Sequence, residues 1–334
     1  MAYYLHLEKI QQRPSLRQQI IQLDPLGTLV FFPGVVCFLV ALQWGGVQYA
    51  WSNGRIIALF VMAGVLIITF IGLQIWGQEN ATVPPRIIKQ RSVAAGTVFA
   101  TCTGGVLVTL LYWIAIWFQT VKGTSAVRSG INTIPMVLSL TVASLGSGVI
   151  VKRTGYYVPP MYLGVICMSI GAGLMTTFNP ETDTGKWIGY QILFGFGIGV
   201  SMQQPSLAAQ NSLDRTDIST GVSLMFFGQS LGGAIFNSIA QALFNSYLTA
   251  HLRNVAGVDV SSITHIGATE LKHIVPAESL GAVIQAYNGA LNHVFILITV
   301  VSTFAIIPAL LVEFKKLKPR PKPGQGPSEK KEGA

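Results

Sequence analysis

Long apolar runs alternate with short polar breaks along the chain. Eight runs are long enough to cross a bilayer, which takes about 20 mostly apolar residues. They cover 25–44, 56–76, 93–119, 130–151, 159–178, 187–210, 218–245 and 281–312. Their interiors hold no Asp, Glu, Lys or Arg, and His293 is the one histidine among them. The pattern predicts an all-α, polytopic helix bundle of about eight transmembrane helices. The last run is long for a single crossing and should tilt or protrude. The polar start, residues 1–24, is interrupted by Pro14 and does not read as a signal peptide. Within it Leu16, Ile20 and Leu23, with Arg13 and Arg17 between them, fit either a short interfacial helix or a solvated leader.

Composition agrees with this pattern. Of 334 residues, 51% are hydrophobic and 10% charged, with mean hydropathy +0.53. A soluble domain carries roughly 25% charged residues, so a water-soluble enzyme is the wrong class, and a disordered chain would need the opposite bias. Cys37, Cys102 and Cys167 all lie in apolar runs, which argues against a disulfide framework.

The net charge of +9 is better explained by membrane orientation than by nucleic acid. Eight crossings put both termini on one side, and 16 of the 22 Lys and Arg residues fall on that side. Cationic residues stay in the cytoplasm during insertion, so both termini are expected there, in a multi-pass integral membrane protein. The basic tail, 313–334, carries much of this signal. It is either a topology anchor or a contact for anionic headgroups of membrane lipid. The sequon Asn80-Ala-Thr82 falls on the same side and should stay unmodified. His251, His265 and His273, near Asp259 and Glu270 in the outer loop 246–280, match no metal-ligand spacing. No metal and no cofactor is expected.

Candidate chemistry lies inside the spans. Gly228-Gln-Ser230-Leu-Gly232 has the spacing of a nucleophile elbow but sits in an apolar helix, without the strand and turn that motif needs. Gly195 and Gly199, and Gly228 and Gly232, are spaced four apart, as helix-packing glycines are, with Gly233 adjacent. Pro135, Pro205 and Pro308 free backbone carbonyls within spans. Gln203, Gln204, Gln229, Asn237 and Gln241 form an uncharged polar seam that must face protein or a wet cavity, and residues 229, 237 and 241 share one helical face. Trp113, Trp117 and Gln119 cluster at one end of the third span, as an interfacial aromatic belt or as a wall for a flat apolar substrate. Lys152-Arg153-Thr154-Gly155, with Gly148 one turn earlier, closes a tight cytoplasmic turn. It fixes topology or latches one facing state.

These residues resemble the major facilitator superfamily, and within it the fourteen-span drug:proton antiporters, which include fungal toxin and secondary-metabolite efflux pumps. The matching stretches are Leu23-Asp24-Pro25-Leu26-Gly27-Thr28, Tyr112 to Gln119, Ser125 to Gly130 followed by Pro135, Gly148 to Gly155, and Gly228 to Gly233. The likeness covers about residues 20–315. It implies that 25–76 is a pair of linking helices and 93–312 a six-helix transporter half, with substrate held near the midplane. Trp113, Trp117, Gln119, Gln203, Gln204, Gln229 and Asn237 would then line the path, and Gly148, Lys152, Arg153 and Gly155 would form the gating motif. The resemblance also implies a first half that these residues do not supply, so the chain alone is expected not to transport without it or a second chain. The alternative is a truncated, non-transporting remnant or a regulatory membrane subunit. No acid pair or nucleophile–base set stands in the spans, which speaks against an intramembrane enzyme.

Overall fold

The computed structural model describes residues 24–46, 48–77, 84–252 and 277–317. The leader, the sequon, most of the outer loop with His265 and His273, and the tail beyond Leu317 lie outside the described residues. The apolar runs become helices because lipid cannot satisfy a free backbone amide or carbonyl. They are α1 (Pro25–Trp44), α2 (Gly54–Gly77), α3 (Pro85–Ile88), α4 (Arg91–Thr120), α5 (Ala126–Asn132), α6 (Ile134–Thr154), α7 (Val158–Met175), α8 (Thr184–Ser201), α9 (Gln204–Ser212), α10 (Ile218–Leu252), α11 (Ala277–Phe304) and α12 (Ile306–Leu311). The bundle is all-α and polytopic. Among the described residues seven helical stretches are long and apolar enough to cross a membrane.

The run at 187–210 is not a single helix, which corrects the sequence expectation. It divides at Met202 and Gln203 into α8 and α9. Pro205 lacks an N–H, so the carbonyl four residues earlier, on Ser201, loses its helical donor. Two other expected spans break in the same way. Pro135 stands just inside α6 after the break at Thr133, and Pro308 follows the break at Ala305 between α11 and α12.

Residues 91–312 fold into six successive helical segments, α4, α5–α6, α7, α8–α9, α10 and α11–α12, and all but α8–α9 are among the seven membrane-capable stretches. The first packs chiefly on the fifth, the second on the fourth, and the third on the fourth and then on the sixth.

Close backbone approach makes these pairings possible. A Cβ on Gly232 would overlap the Thr101 carbonyl, and one on Gly104 would lie 2.5 Å from Gln229 Cα, so α4 and α10 touch along their backbones. Gly228 faces Thr101 Oγ1 at 3.0 Å and Gly233 faces Val108. Likewise, Gly195 and Gly199 of α8 abut the carbonyls of Met136 and Leu140 in α6. Ser139 Oγ donates to the Ile192 carbonyl across this seam at 2.8 Å.

The α1–α2 hairpin lies outside this unit. Only 17% and 11% of their spanning windows are buried, against 61% for α4. The hairpin touches α10 through Phe31 and Phe227, whose rings are 5.5 Å apart. Asp24 closes its base. In a left-handed conformation (φ 42°), its carboxylate accepts from the Gly27 amide at 2.9 Å and from Gln74 Nε2 at 2.6 Å, which joins the start of α1 to the end of α2.

The segment after α12 straps one face of the six-helix unit. Tyr157 Oη donates to the Glu313 carbonyl at 3.0 Å, Asn211 Nδ2 to the Lys316 carbonyl at 3.2 Å, and the Leu317 amide to the Gly155 carbonyl at 2.8 Å. The Tyr156 ring stacks on Phe314 at 5.0 Å. Ser92 Oγ donates to Glu313 Oε2 and accepts from the Glu313 amide, both at 3.3 Å. The ends of α4, α6, α7, α9 and α12 therefore meet on one face. Lys315, hydrogen-bonded to Glu313, holds the Glu313 carboxyl below its usual range. A depressed acid stabilises the fold above its unfolded pKa, and that contribution fades as pH falls through the folded value. Hydrogen exchange at the Leu317 amide is therefore expected to accelerate at acidic pH, and Glu313→Gln should abolish the pH step.

Candidate functional site

Two of the candidate polar side chains, Gln204 and Gln229, meet at the α8–α9 break. Gln204 is 1% exposed, and its Nε2 donates to the Val200 carbonyl and to Ser147 Oγ, each at 2.8 Å. Ser147 Oγ in turn donates to the same Val200 carbonyl at 2.9 Å. Gln229 reaches across from α10, and its Nε2 donates to the Met202 carbonyl at 3.2 Å. Two glutamines from the expected path thus satisfy carbonyls in and beside the break. An unsatisfied carbonyl in hydrocarbon would cost several kcal/mol. Gln203 points away from this cluster and is exposed.

Asn237 stands two turns beyond Gln229 on α10 and is half-buried, with Oδ1 enclosed and unpartnered among the described residues. Thr109 Oγ1 and Trp113 Nε1, one turn apart on α4, are enclosed and unpartnered in the same sense. Gln241 donates to Asn245 Oδ1 at 3.1 Å. The seam is thus half engaged in holding backbone and half left with spare hydrogen-bonding capacity.

Trp113 and Trp117 are 1% and 0% exposed, so neither forms an interfacial belt and neither presents a face to cargo in this arrangement. Trp113 packs against Phe244, with centroids 4.7 Å apart. Trp117 stacks on Phe178 at 4.5 Å and donates its indole N–H to Asn288 Oδ1 at 3.0 Å. Asn288 Nδ2 then donates to the Phe178 carbonyl at 2.9 Å, and Asn292 Nδ2 to the same carbonyl at 3.3 Å. Lys122 Nζ, 5.5 Å over the Trp117 ring, donates to the carbonyls of Pro180 and Thr182 at 2.7 Å each. Burial pushes the Lys122 ammonium below the usual lysine range, and the Asp183 charge partly restores it. This network joins α4, α7 and α11 at the face opposite the strap. Gln119 is half-buried beside it.

The motif at 148–155 divides. Gly155 caps α6 at φ 78° and abuts Lys316 of the strap. Lys152 and Arg153 are exposed and form no ion pair among the described residues, and a Cβ on Gly148 would meet open space. Besides Lys315–Glu313 in the strap, the described residues include the ion pair Arg86–Asp217, at 2.9 Å, between α3 and the start of α10.

Asn288, Asn292 and Ser147 were not candidates from sequence. Their signal was the one that marked Gln229, an uncharged polar residue inside a span, but it was obscured by the length of the last run and by the many serines of α6. Arg86–Asp217 lay in loops, where charge reads as topology.

An all-α bundle with seven membrane-capable stretches and an uncharged polar seam at a broken helix is of the integral, multi-pass membrane class. No protein-family model matches the chain. It belongs among the MFS-type transporters. It is 50% identical over 309 residues, 92% of its length, to the rubrofusarin-specific efflux pump of Gibberella zeae. It is 46% identical over 303 residues, 91% of its length, to an MFS-type transporter of Byssochlamys spectabilis, and 46% over 312 residues, 93%, to an MFS-type efflux pump of Trichophyton rubrum. These alignments cover 57%, 55% and 58% of the relatives, so the chain spans little more than half of their length.

Proposed function

We propose that the chain works as the linking pair and second half of an efflux transporter that exports an amphipathic small molecule, such as a toxin or secondary metabolite. The observation that carries this reading is the 50% identity, over nearly the whole chain, to a rubrofusarin-specific efflux pump. Gln203, Gln229 and Asn237 supply neutral hydrogen bonds to the cargo. Gln229 exchanges its bond to the Met202 carbonyl for the cargo as the α8–α9 break flexes. Trp113 and Trp117 stiffen the wall behind them. Export is proton-coupled in the assembled transporter. The spans here lack an acidic residue in their interiors, so the coupling acid belongs to a first half, supplied by the same or another polypeptide. The strap face is cytoplasmic, the membrane is the plasma membrane, and Lys152 and Arg153 latch onto that first half.

The test expresses the chain in a pump-deficient fungal cell and measures retention of rubrofusarin. Expected is no change with the chain alone and at least a severalfold fall in retention when a first-half polypeptide from a relative is co-expressed. Unchanged retention in both arms would reject transport. It would favour the second reading, a non-transporting remnant or regulatory subunit, which the coverage of little more than half of each relative also fits.

A further inference from the structure

We propose that the groove between the α1–α2 hairpin, α3 and α10 is a specific site for an anionic phospholipid of the leaflet bordering Lys89. The inference rests on the chain's spanning a membrane and not on the transport reading. The groove encloses about 670 Å³. Its walls are rings and aliphatic chains, chiefly Phe31, Phe32, Phe70, Ile71, Ile75 and Phe227. At membrane depth such a space fills with apolar matter, because unfilled walls forfeit their dispersion contacts.

The rim decides what fills it. α3 begins at a Pro84-Pro85 pair, spans four residues and ends with Lys89 as its C-cap, at the mouth of the groove. The other cation of this short helix, Arg86, is engaged by Asp217 at 2.9 Å. Lys89 is exposed and has no ion pair among the described residues. Thr220 and Ser223 add hydroxyls to the lining. The lining thus combines apolar walls, the hydroxyls of Thr28, Thr220 and Ser223, the Gln74 amide and one cation, the groups that acyl chain, glycerol ester and phosphate of a phospholipid would meet. A packed protein helix would match the apolar walls but leave the cation without a counter-charge.

The experiment purifies the full chain in detergent and supplies phosphatidylserine and phosphatidylcholine with identical acyl chains in equal amounts. Native mass spectrometry reads the retained lipid. Wild type is expected to keep phosphatidylserine over phosphatidylcholine by about fivefold, the size of one cation near an anionic surface. Lys89→Gln should bring the ratio near one, Lys89→Arg should keep it, and Ser223→Trp, which fills the groove, should lower retention of both lipids. Unchanged helical circular dichroism is the control for folding. Equal retention of the two lipids by wild type, a preference that survives Lys89→Gln, or full retention by Ser223→Trp would each overturn the proposal. So would loss of the lipid on co-expression of a first-half polypeptide, which would make protein the occupant.

Discussion

Replacing Gly232 by valine is expected to unfold the six-helix unit in detergent under conditions where the wild type is stable. The first carbon of the new side chain would overlap the Thr101 carbonyl, which belongs to helix backbone and cannot swing aside. α10 would have to move away from α4. That displacement also separates Gly104 from Gln229 and draws Gln229 from the Met202 carbonyl. Overpacking a tight core costs about 1–3 kcal/mol, and the orphaned carbonyl adds about 1–3 kcal/mol. Thermal unfolding followed by circular dichroism measures the loss. Gly148→Val is the matching control. It enters open space, and a shift within about 0.5 kcal/mol is expected. Similar losses in both variants would show that the α4–α10 contact is not what limits stability.

Trp117→Ala should be equally damaging at the opposite end of the unit. It removes a fully buried indole, a ring stacked on Phe178 and the partner of Asn288. Truncations of this kind cost about 3–5 kcal/mol. Asn288→Leu keeps the volume but strands the indole N–H, and leaves the Phe178 carbonyl with only the longer Asn292 bond, for about 1–3 kcal/mol. Trp76→Ala, at a residue 82% exposed, should change stability by no more than about 0.5 kcal/mol. A double variant, Trp117→Ala with Asn288→Leu, measures the coupling. If the two losses simply add, the hydrogen bond contributes nothing of its own.

The spans were legible because lipid imposes one rule on every backbone group, and runs such as 56–76 obey it without exception. Their interruptions were half legible. Pro135, Pro205 and Pro308 marked where carbonyls would be freed. What a neighbouring helix brings to such a break is not written in the broken run itself: the Met202 carbonyl beside Pro205 is met by Gln229 of another helix. The roles of the tryptophans could not be read locally. The sequence around Trp113 and Trp117 fits a headgroup belt, a cargo wall or a core, and only the arrival of Asn288, 171 residues later, fixes where the Trp117 indole points. Gly195 and Gly232 showed a spacing but not their partners, since a helix face carries no label for the helix it meets. Lys152 and Arg153 remain exposed for a plain reason: nothing among the described residues offers them a carboxylate.

The bond between Ser92 and Glu313 brings the start and the finish of the six segments together across 221 positions. The unit is therefore joined almost end to end. A gene that fuses its two ends and opens instead at the exposed turn of Pro180 and Glu181 would keep most of the contacts described above. Circular permutants tolerate such rewiring where natural ends adjoin. The half could then be built as a module whose inlet is chosen by the engineer, with the hairpin at 25–76 moved to whichever side a partner needs it.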